Sequence, residues 1–260
     1  MKKLLVIVLA LAMLVTLAAC GKKDDPSKKS EGVMTYAEYA AAAIDSEVVI
    51  ETYVQAKQGW WEKEGVGGVG TFYTQDAEGG YFLYDMPCSK ADYDKLVKGT
   101  KIKVTGKKAE WSGEVEIIDA TFVIEDGNYE ASATDVTSLI GKDEIAAKMN
   151  MFISIKGATV EAVGQDAEGN DVAWFYKWNG AGSEGDDLYF KINVNGTSFT
   201  LLVESYLCGP DTDVYKAVKE LKIGDKIDLE GFLYWYEGAQ PHVTGVKAAV
   251  NAAASDKAAG

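Results

Sequence analysis

The chain has 260 residues with 26 basic and 40 acidic side chains, and its formal net charge at pH 7 is −14. Every basic residue is Lys, so the chain lacks the guanidinium group that reads phosphate and guanine through two parallel hydrogen bonds. Because affinity for nucleic acid comes largely from neutralised phosphates, this composition argues against a nucleic-acid partner.

The N-terminus has the pattern of a signal peptide. Two lysines precede an apolar run over residues 4–19 that only Thr16 interrupts, and Cys20 follows. Residues 17–20, Leu-Ala-Ala-Cys, resemble the bacterial lipobox, and this resemblance implies cleavage after residue 19 and lipidation of Cys20. The alternative is an uncleaved anchor, but the run is shorter than the roughly 20 residues of a spanning helix. We therefore predict a signal peptide over 1–19 and an extracytoplasmic protein held at the bacterial cell membrane by its lipid.

Two segments of low complexity flank the remainder of the chain. Residues 20–33 are dense in Lys, Asp, Ser and Gly, which predicts a flexible tether. Residues 251–260 are rich in Ala and predict a disordered tail. The residues between them suffice for two small domains, which we place at 34–126 and 127–250.

The first domain opens with a short helix and continues with five strands. Thr35 and Glu38 have capping-box spacing at the start of a helix over 35–44. Alternating apolar residues and turn signals predict strands at 47–56, 71–75, 81–86, 100–111 and 114–124. Ser89 is a predicted N-cap for a helix over 89–98, between the third and fourth strands.

The second domain repeats this order. Its predicted strands cover 151–163, 188–194, 197–204, 226–236 and 241–247, with a helix over 212–221 between the third and fourth. Asn195 and Gly196 form the strongest short-range hairpin signal, between the second and third strands.

An internal repeat supports this duplication. Residues 99–113 recur as residues 224–238, with glycines at the same three places. Repetition of this kind indicates a duplicated structural unit. The middle glycines, Gly106 and Gly231, fall within predicted strands and indicate bulges or bends.

Five strands with a helix between strands three and four, and a glycine bend in a long strand, resemble the OB-fold, a small Greek-key barrel. Together with the lipobox and the tether, the chain is similar to uncharacterised bacterial surface lipoproteins with tandem OB-fold-like domains. The resemblance implies a mainly β fold of two tandem five-stranded barrels, each with a short helix between strands three and four, plus an N-terminal helix. It also implies a binding module, since OB barrels bind oligonucleotides, oligosaccharides or proteins on one face and its loops.

Aromatic residues are the candidate ligand contacts. Phe232, Tyr234 and Tyr236 share the polar side of a predicted strand if its register is regular, whereas a bulge at Gly231 would place half of these rings in the core. The connection between strands one and two flanks the binding face in the OB-fold. By this resemblance, the further candidates are Trp60 and Trp61 in the first domain, and Trp174, Tyr176 and Trp178 in an insertion over 164–187.

Residues for catalysis and metal binding are few. The one histidine, His242, lies in a predicted strand with no nucleophile tied to it by spacing, so we interpret it as a partly exposed strand residue. Cys88 and Cys208 occupy equivalent places in the two repeats, which argues against a disulfide and for two buried thiols. We predict no catalytic residue, no cofactor and no metal site.

The predicted function is recognition of a glycan or a protein partner through aromatic faces, with nucleic acid as an unlikely partner. Two alternatives remain open. One is binding of single-stranded nucleic acid, for which affinity should fall steeply with salt. The other is a structural spacer in a surface complex. An enzyme that depends on His242 is the least favoured reading.

Overall fold

The computed structural model describes residues 25–249. The predicted signal peptide 1–19, the lipidation site Cys20 and the predicted tail 251–260 lie outside the described residues. Among the helices within residues 25–249, none has the length and apolar character needed to cross a bilayer.

The N-terminal half forms one sheet of six strands with two short helices. The strands are β1 (Glu47–Lys57), β2 (Trp61–Lys63), β3 (Gly67–Gln75), β4 (Gly80–Pro87), β5 (Thr100–Trp111) and β6 (Glu114–Asn128). The helices are α1 (Tyr36–Ala41) and α2 (Lys90–Lys95). The strand order is β1-β5-β6-β4-β3-β2, and β1 also pairs with β3. We call this the first sheet.

The C-terminal half forms a second sheet of seven strands. Its strands are β7 (Thr134–Asp135), β8 (Phe152–Glu161), β11 (Trp174–Tyr176), β12 (Leu188–Val194), β13 (Thr197–Val203), β14 (Lys226–Phe232) and β15 (His242–Ala248), and a separate hairpin joins β9 (Gly164–Gln165) to β10 (Asp171–Val172). Two 3-10 turns, Thr137–Leu139 and Asp143–Lys148, precede β8, and helix α3 (Asp213–Lys219) lies between β13 and β14.

Pairing of β12 with β8 closes the second sheet into a ring. The order is β8-β12-β13-β15-β14 and back to β8, with β13 and β15 parallel and the other pairs antiparallel. This is a closed five-stranded barrel of the OB type. It confirms the predicted mainly β fold and the OB-type arrangement for this half of the chain.

The helix caps follow the sequence signals. The Thr35 side chain accepts a hydrogen bond from the Glu38 backbone N–H, and the Glu38 carboxylate accepts one from the Thr35 backbone N–H, which completes the predicted capping box. Ser89 and Thr212 cap α2 and α3 in the same position. Each helix is shorter than predicted, and α1 ends at Ala41, where the next residue turns to an extended conformation.

The repeated glycines allow neighbouring strands to approach closely. Gly106 and Gly231 both lie at register shifts, in the β5–β6 and β14–β15 pairs. A Cβ atom on Gly231 would lie 2.3 Å from the His242 carbonyl oxygen, and one on Gly106 would lie 2.6 Å from a methyl group of Ile117. The predicted bulges are confirmed, and the bulge at Gly231 ends β14 at Phe232 rather than at the predicted Tyr236.

An aromatic cluster joins the two sheets. Tyr73 and Phe82 of the first sheet pack against Phe232 of the second, with the Tyr73 and Phe232 ring centroids 4.7 Å apart. Two hydrogen bonds also cross between the sheets. The Phe152 backbone N–H donates to Gln75 Oε1 at 2.7 Å, and the Trp235 backbone N–H donates to Glu114 Oε2 at 2.8 Å. The sheets therefore share a packed and hydrogen-bonded contact.

Gly80 lies at this contact and supplies the first testable prediction. A Cβ atom there would lie 2.2 Å from the Asn150 carbonyl oxygen, so Gly80→Ala must displace backbone of the second sheet. We expect the variant to lose about 1–3 kcal/mol of unfolding free energy, measured by chemical denaturation. Gly59→Ala is the matched control, because its Cβ would meet no atom within 4 Å. Equal losses in both variants would contradict this account.

Two segments at the predicted domain limits contact the first sheet. Lys29, within the predicted tether 20–33, forms an ion pair with buried Asp76, and its ammonium group donates to the Glu51 carbonyl oxygen at 2.8 Å. Past the predicted boundary at 126, the Ala131 backbone N–H donates to Gln55 Oε1 at 2.9 Å. The chain from residue 25 onward and the residues just after β6 are therefore attached to the first sheet.

Candidate functional site

Two adjoining cavities lie where the sheets meet. The first cavity has a volume of about 660 Å³ and is lined by Gln58, Gly59, Trp60, Trp61, Phe82, Tyr84, Asp85, Glu204, Tyr206, Tyr234 and His242. The second cavity, of about 590 Å³, is lined by Trp111, Trp178, Asp187, Tyr189, Leu202, Glu204, Tyr234, Tyr236, Gln240 and His242. Glu204, Tyr234 and His242 line both, and we call these three residues the shared wall.

Strand alternation and the β1–β2 connection build the first cavity. Phe82 and Tyr84 are two residues apart on β4 and therefore lie on one side of the strand. Trp60 is half-buried, and its indole N–H donates to the Cys88 carbonyl oxygen at 3.0 Å, which fixes the ring. The neighbouring Trp61 is 47% exposed. The cavity thus has one anchored and one accessible tryptophan.

The second cavity has exposed aromatic rings at its rim. Trp178, from the insertion, is 75% exposed, and Trp111 and Tyr236 are also exposed. The Trp111 and Tyr236 rings lie 5.3 Å apart between centroids, so the first sheet contributes a ring to a cavity formed mostly by the second. Large accessible rings at a concave surface are suited to stacking on planar groups.

Phe232 is removed from the candidate ligand contacts. Its side chain is only 3% exposed and packs against Tyr73 and Phe152 in the cluster between the sheets. The bulge at Gly231 is the physical reason, because it shifts the alternation that would have placed Phe232 beside Tyr234 and Tyr236. Those two tyrosines lie beyond the end of β14, in the turn that leads to β15, and both line cavities.

Trp174 and Tyr176 lie apart from both cavities. The Trp174 indole N–H donates to the Lys219 carbonyl oxygen at 3.0 Å, and the two rings contact each other edge to face at 5.1 Å. Both side chains pack against the core of the second sheet and line a separate groove of about 430 Å³. Of the eight aromatic candidates, the structure therefore brings Trp60, Trp61, Trp178, Tyr234 and Tyr236 together at the two cavities.

His242 is buried, which corrects the prediction of a partly exposed strand residue. It is 6% exposed, and its Nδ1 lies 2.6 Å from the Tyr73 hydroxyl oxygen. That hydroxyl accepts a hydrogen bond from Gln58 Nε2, so its own proton points to Nδ1 and the imidazole proton resides on Nε2. Burial lowers the pKa of His242 to about 3, so the ring is uncharged at neutral pH. A base this weak is poorly matched to proton abstraction near pH 7.

The polar groups of the cavities are mainly carboxylates. Glu204 is 8% exposed, and burial, with a smaller effect of Asp187, raises its pKa to about 7. Its Oε2 atom is buried with no hydrogen-bond partner. Asp85, in the first cavity, adopts a positive φ of 45° and pairs with Lys63 at 2.8 Å. Backbone strain of this kind is concentrated at functional sites.

Metal and thiol chemistry find little support in the described residues. Over residues 25–249, no group of three or more His, Cys, Asp or Glu side chains is placed to hold a metal ion. Cys88 and Cys208 are free and buried, which confirms the interpretation made from the sequence. Burial raises the pKa of each thiol to about 11, so neither is a reactive thiolate at neutral pH.

Sequence reasoning missed four cavity residues: Tyr84, Trp111, Glu204 and Tyr206. The alternation of Phe82 and Tyr84 on β4, and of Leu202 and Glu204 at the end of β13, was an available signal for two of them. Trp111 had no such signal, because its role depends on a contact with the other sheet.

Comparisons with known proteins were made for the sequence and for the fold. No protein-family model matches the chain, and no curated protein matches it. A murine DNA binding protein bound with double-stranded DNA is similar at 14% identity and a TM-score of 0.35, covering 78% of this chain and 97% of that one. The single-stranded DNA binding protein from Thermus aquaticus is similar at 13% identity and a TM-score of 0.26, covering 80% and 95%. A Replication Protein A heterotrimer bound to single-stranded DNA has 11% identity and a TM-score of 0.31, with 82% and 51% covered.

These comparisons contradict the predicted ligand class. The sequence favoured a glycan or protein partner and ranked nucleic acid as unlikely, whereas these three similar structures are of DNA-binding proteins. The ranking is corrected. Its physical weakness was the use of net charge, which is a sum over the whole chain and says nothing about aromatic rings that stack on bases.

Proposed function

We propose that the chain binds single-stranded nucleic acid in the cleft formed by the two cavities, with bases rather than phosphates as the main contacts. The observation that carries this proposal is the set of accessible rings on both sides of the shared wall. Trp61, Tyr84 and Tyr206 border the first cavity, and Trp178 and Tyr236 border the second. A flat unsaturated ring is the group that such surfaces stack on best.

The proposal includes two tandem OB-like barrels. In the first sheet, β1 pairs with both β5 and β3, which supports a ring of five strands matching that of the second sheet. The first cavity then lies on the third strand of one barrel and its connection between strands one and two. The second cavity uses the same parts of the other barrel. OB barrels bind oligonucleotides at this surface.

Electrostatics determine which part of a nucleic acid enters the cleft. Asp85, Asp187 and Glu204 line the cavities and repel phosphates, so the backbone faces solvent. Stacking on an aromatic ring contributes about 1–3 kcal/mol per base and does not require a cation. Binding of this kind loses less affinity with salt than the steep loss of a phosphate-neutralising protein.

We further propose a non-enzymatic surface lipoprotein, lipidated at Cys20, similar to uncharacterised bacterial lipoproteins with tandem OB-fold-like domains. The apolar segment 4–19 and the Leu-Ala-Ala-Cys sequence support an extracytoplasmic location. The uncharged His242 and the protonated thiols support a binding role rather than a catalytic one.

Titration of a labelled single-stranded oligonucleotide, followed by fluorescence anisotropy, tests this proposal. We expect Trp61→Ala to weaken binding about tenfold or more, because one stacked base is lost. Its exposure means that the substitution leaves the fold intact. Tyr176→Ala is the matched control, since Tyr176 lies outside both cavities. No binding at low salt, or equal weakening by both variants, would overturn the cleft as the site.

A further inference from the structure

The shared wall places a donor and a carboxylate side by side. His242 pairs with Leu202 across the parallel β13–β15 contact. Glu204 follows Leu202 by two residues and therefore lies on the same side of the chain. Both side chains line both cavities, so a ring entering from either side meets the two together.

The protonation of these two groups fixes what they can recognise. The Tyr73 hydroxyl bonds to His242 Nδ1 and leaves the proton on Nε2, so the imidazole is a donor at that edge. Glu204 is more than nine-tenths buried, and its Oε2 has no partner within the described chain. An ionised carboxylate only accepts hydrogen bonds. The wall therefore offers one donor next to two acceptors.

We propose that the shared wall selects guanine among the bases of the bound strand, an inference that rests on the proposed function. The Watson–Crick edge of guanine carries the O6 acceptor beside the N1–H and N2–H donors. His242 Nε2–H donates to O6, and the Glu204 carboxylate accepts from N1–H and N2–H. Hydrogen bonds to an ionised carboxylate are about twice as strong as neutral ones.

The other bases complement this wall less well. Adenine and cytosine each offer an amino donor and a neighbouring ring acceptor, which satisfy one Glu204 oxygen and the His242 proton. Thymine and uracil offer a single N–H between two carbonyl oxygens, and the second oxygen faces the carboxylate. Unpaired acceptors brought together in a desolvated cavity are costly, so discrimination follows from the missing donor.

The ring faces are supplied by the neighbouring tyrosines. Tyr234 stacks on His242 with ring centroids 4.2 Å apart and planes 25° apart, which holds the imidazole edge towards the cavities. Tyr206 lines the first cavity from the turn that follows β13 and is exposed. A base can therefore stack while its edge reaches the wall.

Oligothymidine with a single central guanine provides the test, compared with the same strand carrying inosine or adenine. Inosine has the ring and O6 of guanine but lacks the N2 amino group. With the full-length protein, we expect inosine to bind about tenfold more weakly than guanine. Glu204→Gln should reverse the preference, because a glutamine amide forms two hydrogen bonds with adenine. Glu144→Gln, at an exposed position, is the matched control and should keep the guanine preference.

The outcomes separate this inference from the proposed function. Equal affinity for all central bases, with Trp61→Ala still weakening every strand, would overturn guanine selection and leave the proposed function in place. An absence of binding to any strand would overturn both. An aromatic cavity with carboxylates also suits an organic ammonium ion. Displacement of the guanine strand by millimolar choline, but not by equal sodium chloride, would therefore overturn base recognition at the wall.

Discussion

Replacement of Phe232 by alanine is expected to destabilise the protein by about 3–5 kcal/mol, the cost typical of removing a buried phenylalanine ring. Phe232 lies between Tyr73 of the first sheet and Phe152 of the second, so its loss leaves a void at the contact between the sheets. Urea denaturation followed by tryptophan fluorescence measures the change. Since the void lies between two sheets, separation of the transition into two phases is a further expected sign.

Trp178→Ala is the control for this prediction. Trp178 is 75% exposed, so its removal should change the unfolding free energy by no more than about 0.5 kcal/mol. The two variants thereby separate packing from ligand contact. Phe232→Ala with unchanged stability and lost oligonucleotide binding would contradict the packing role and restore Phe232 as a ligand contact.

The second large effect is a loss of stability as the pH rises. Burial raises the pKa of three carboxyl groups near the contact between the sheets, to about 8 for Glu114 and about 7 for Glu116 and Glu204. Above pH 4.5 the folded protein therefore binds more protons at these sites than the unfolded chain. Unfolding free energy falls as the pH rises from about 4.5 to about 8. For Glu114 the full change is on the order of 5 kcal/mol.

His242 acts in the opposite direction at lower pH. Its folded pKa of about 3 lies below the value of 6.5 for an unperturbed histidine, so it destabilises the fold as the pH falls through that interval. Above pH 6.5 its contribution is constant. The interval from pH 6.5 to pH 8 therefore reports the carboxyl groups alone, and denaturation midpoints measured across it should decline steadily.

Glu114→Gln tests the origin of this decline. The amide oxygen can still accept the Trp235 backbone N–H, and the new amino group lies beside the Asn150 side chain, whose Oδ1 is buried without a partner. We expect the variant to be more stable than the wild type at pH 8 and to show a shallower decline. Glu130→Gln, at an exposed position, should leave the decline unchanged. A Glu114→Gln protein with the wild-type slope would contradict the assignment.

Local elements of the fold were largely predictable. The fourth strand of the first repeat was predicted at 100–111, and β5 has those bounds. The hairpin at Asn195 and Gly196 was also predicted, and both residues have the positive φ that such a turn requires. These features depend on alternation, capping and turn chemistry within a few residues. Such interactions are written in the sequence at short range.

The candidate site was only partly predictable. Trp60 and Trp61 were identified from their place between strands one and two, and they do border a cavity. Phe232 was misassigned because one bulged residue changes which side of a strand every later side chain occupies. The opposing ring of Trp111 was not predictable at all, since it reaches the second cavity from the other sheet.

The sequence by itself determined the strand order within each half, the closing glycines of the repeat and the type of barrel, because these depend on local backbone preferences and on close strand approach. The tertiary structure decided which aromatic rings are core and which border a cavity, and it buried His242 beside Glu204. The physical reason is that solvent access and pKa depend on what packs against a residue from a distant part of the chain. Two repeats with nearly the same pattern acquire different surfaces once they are packed against each other.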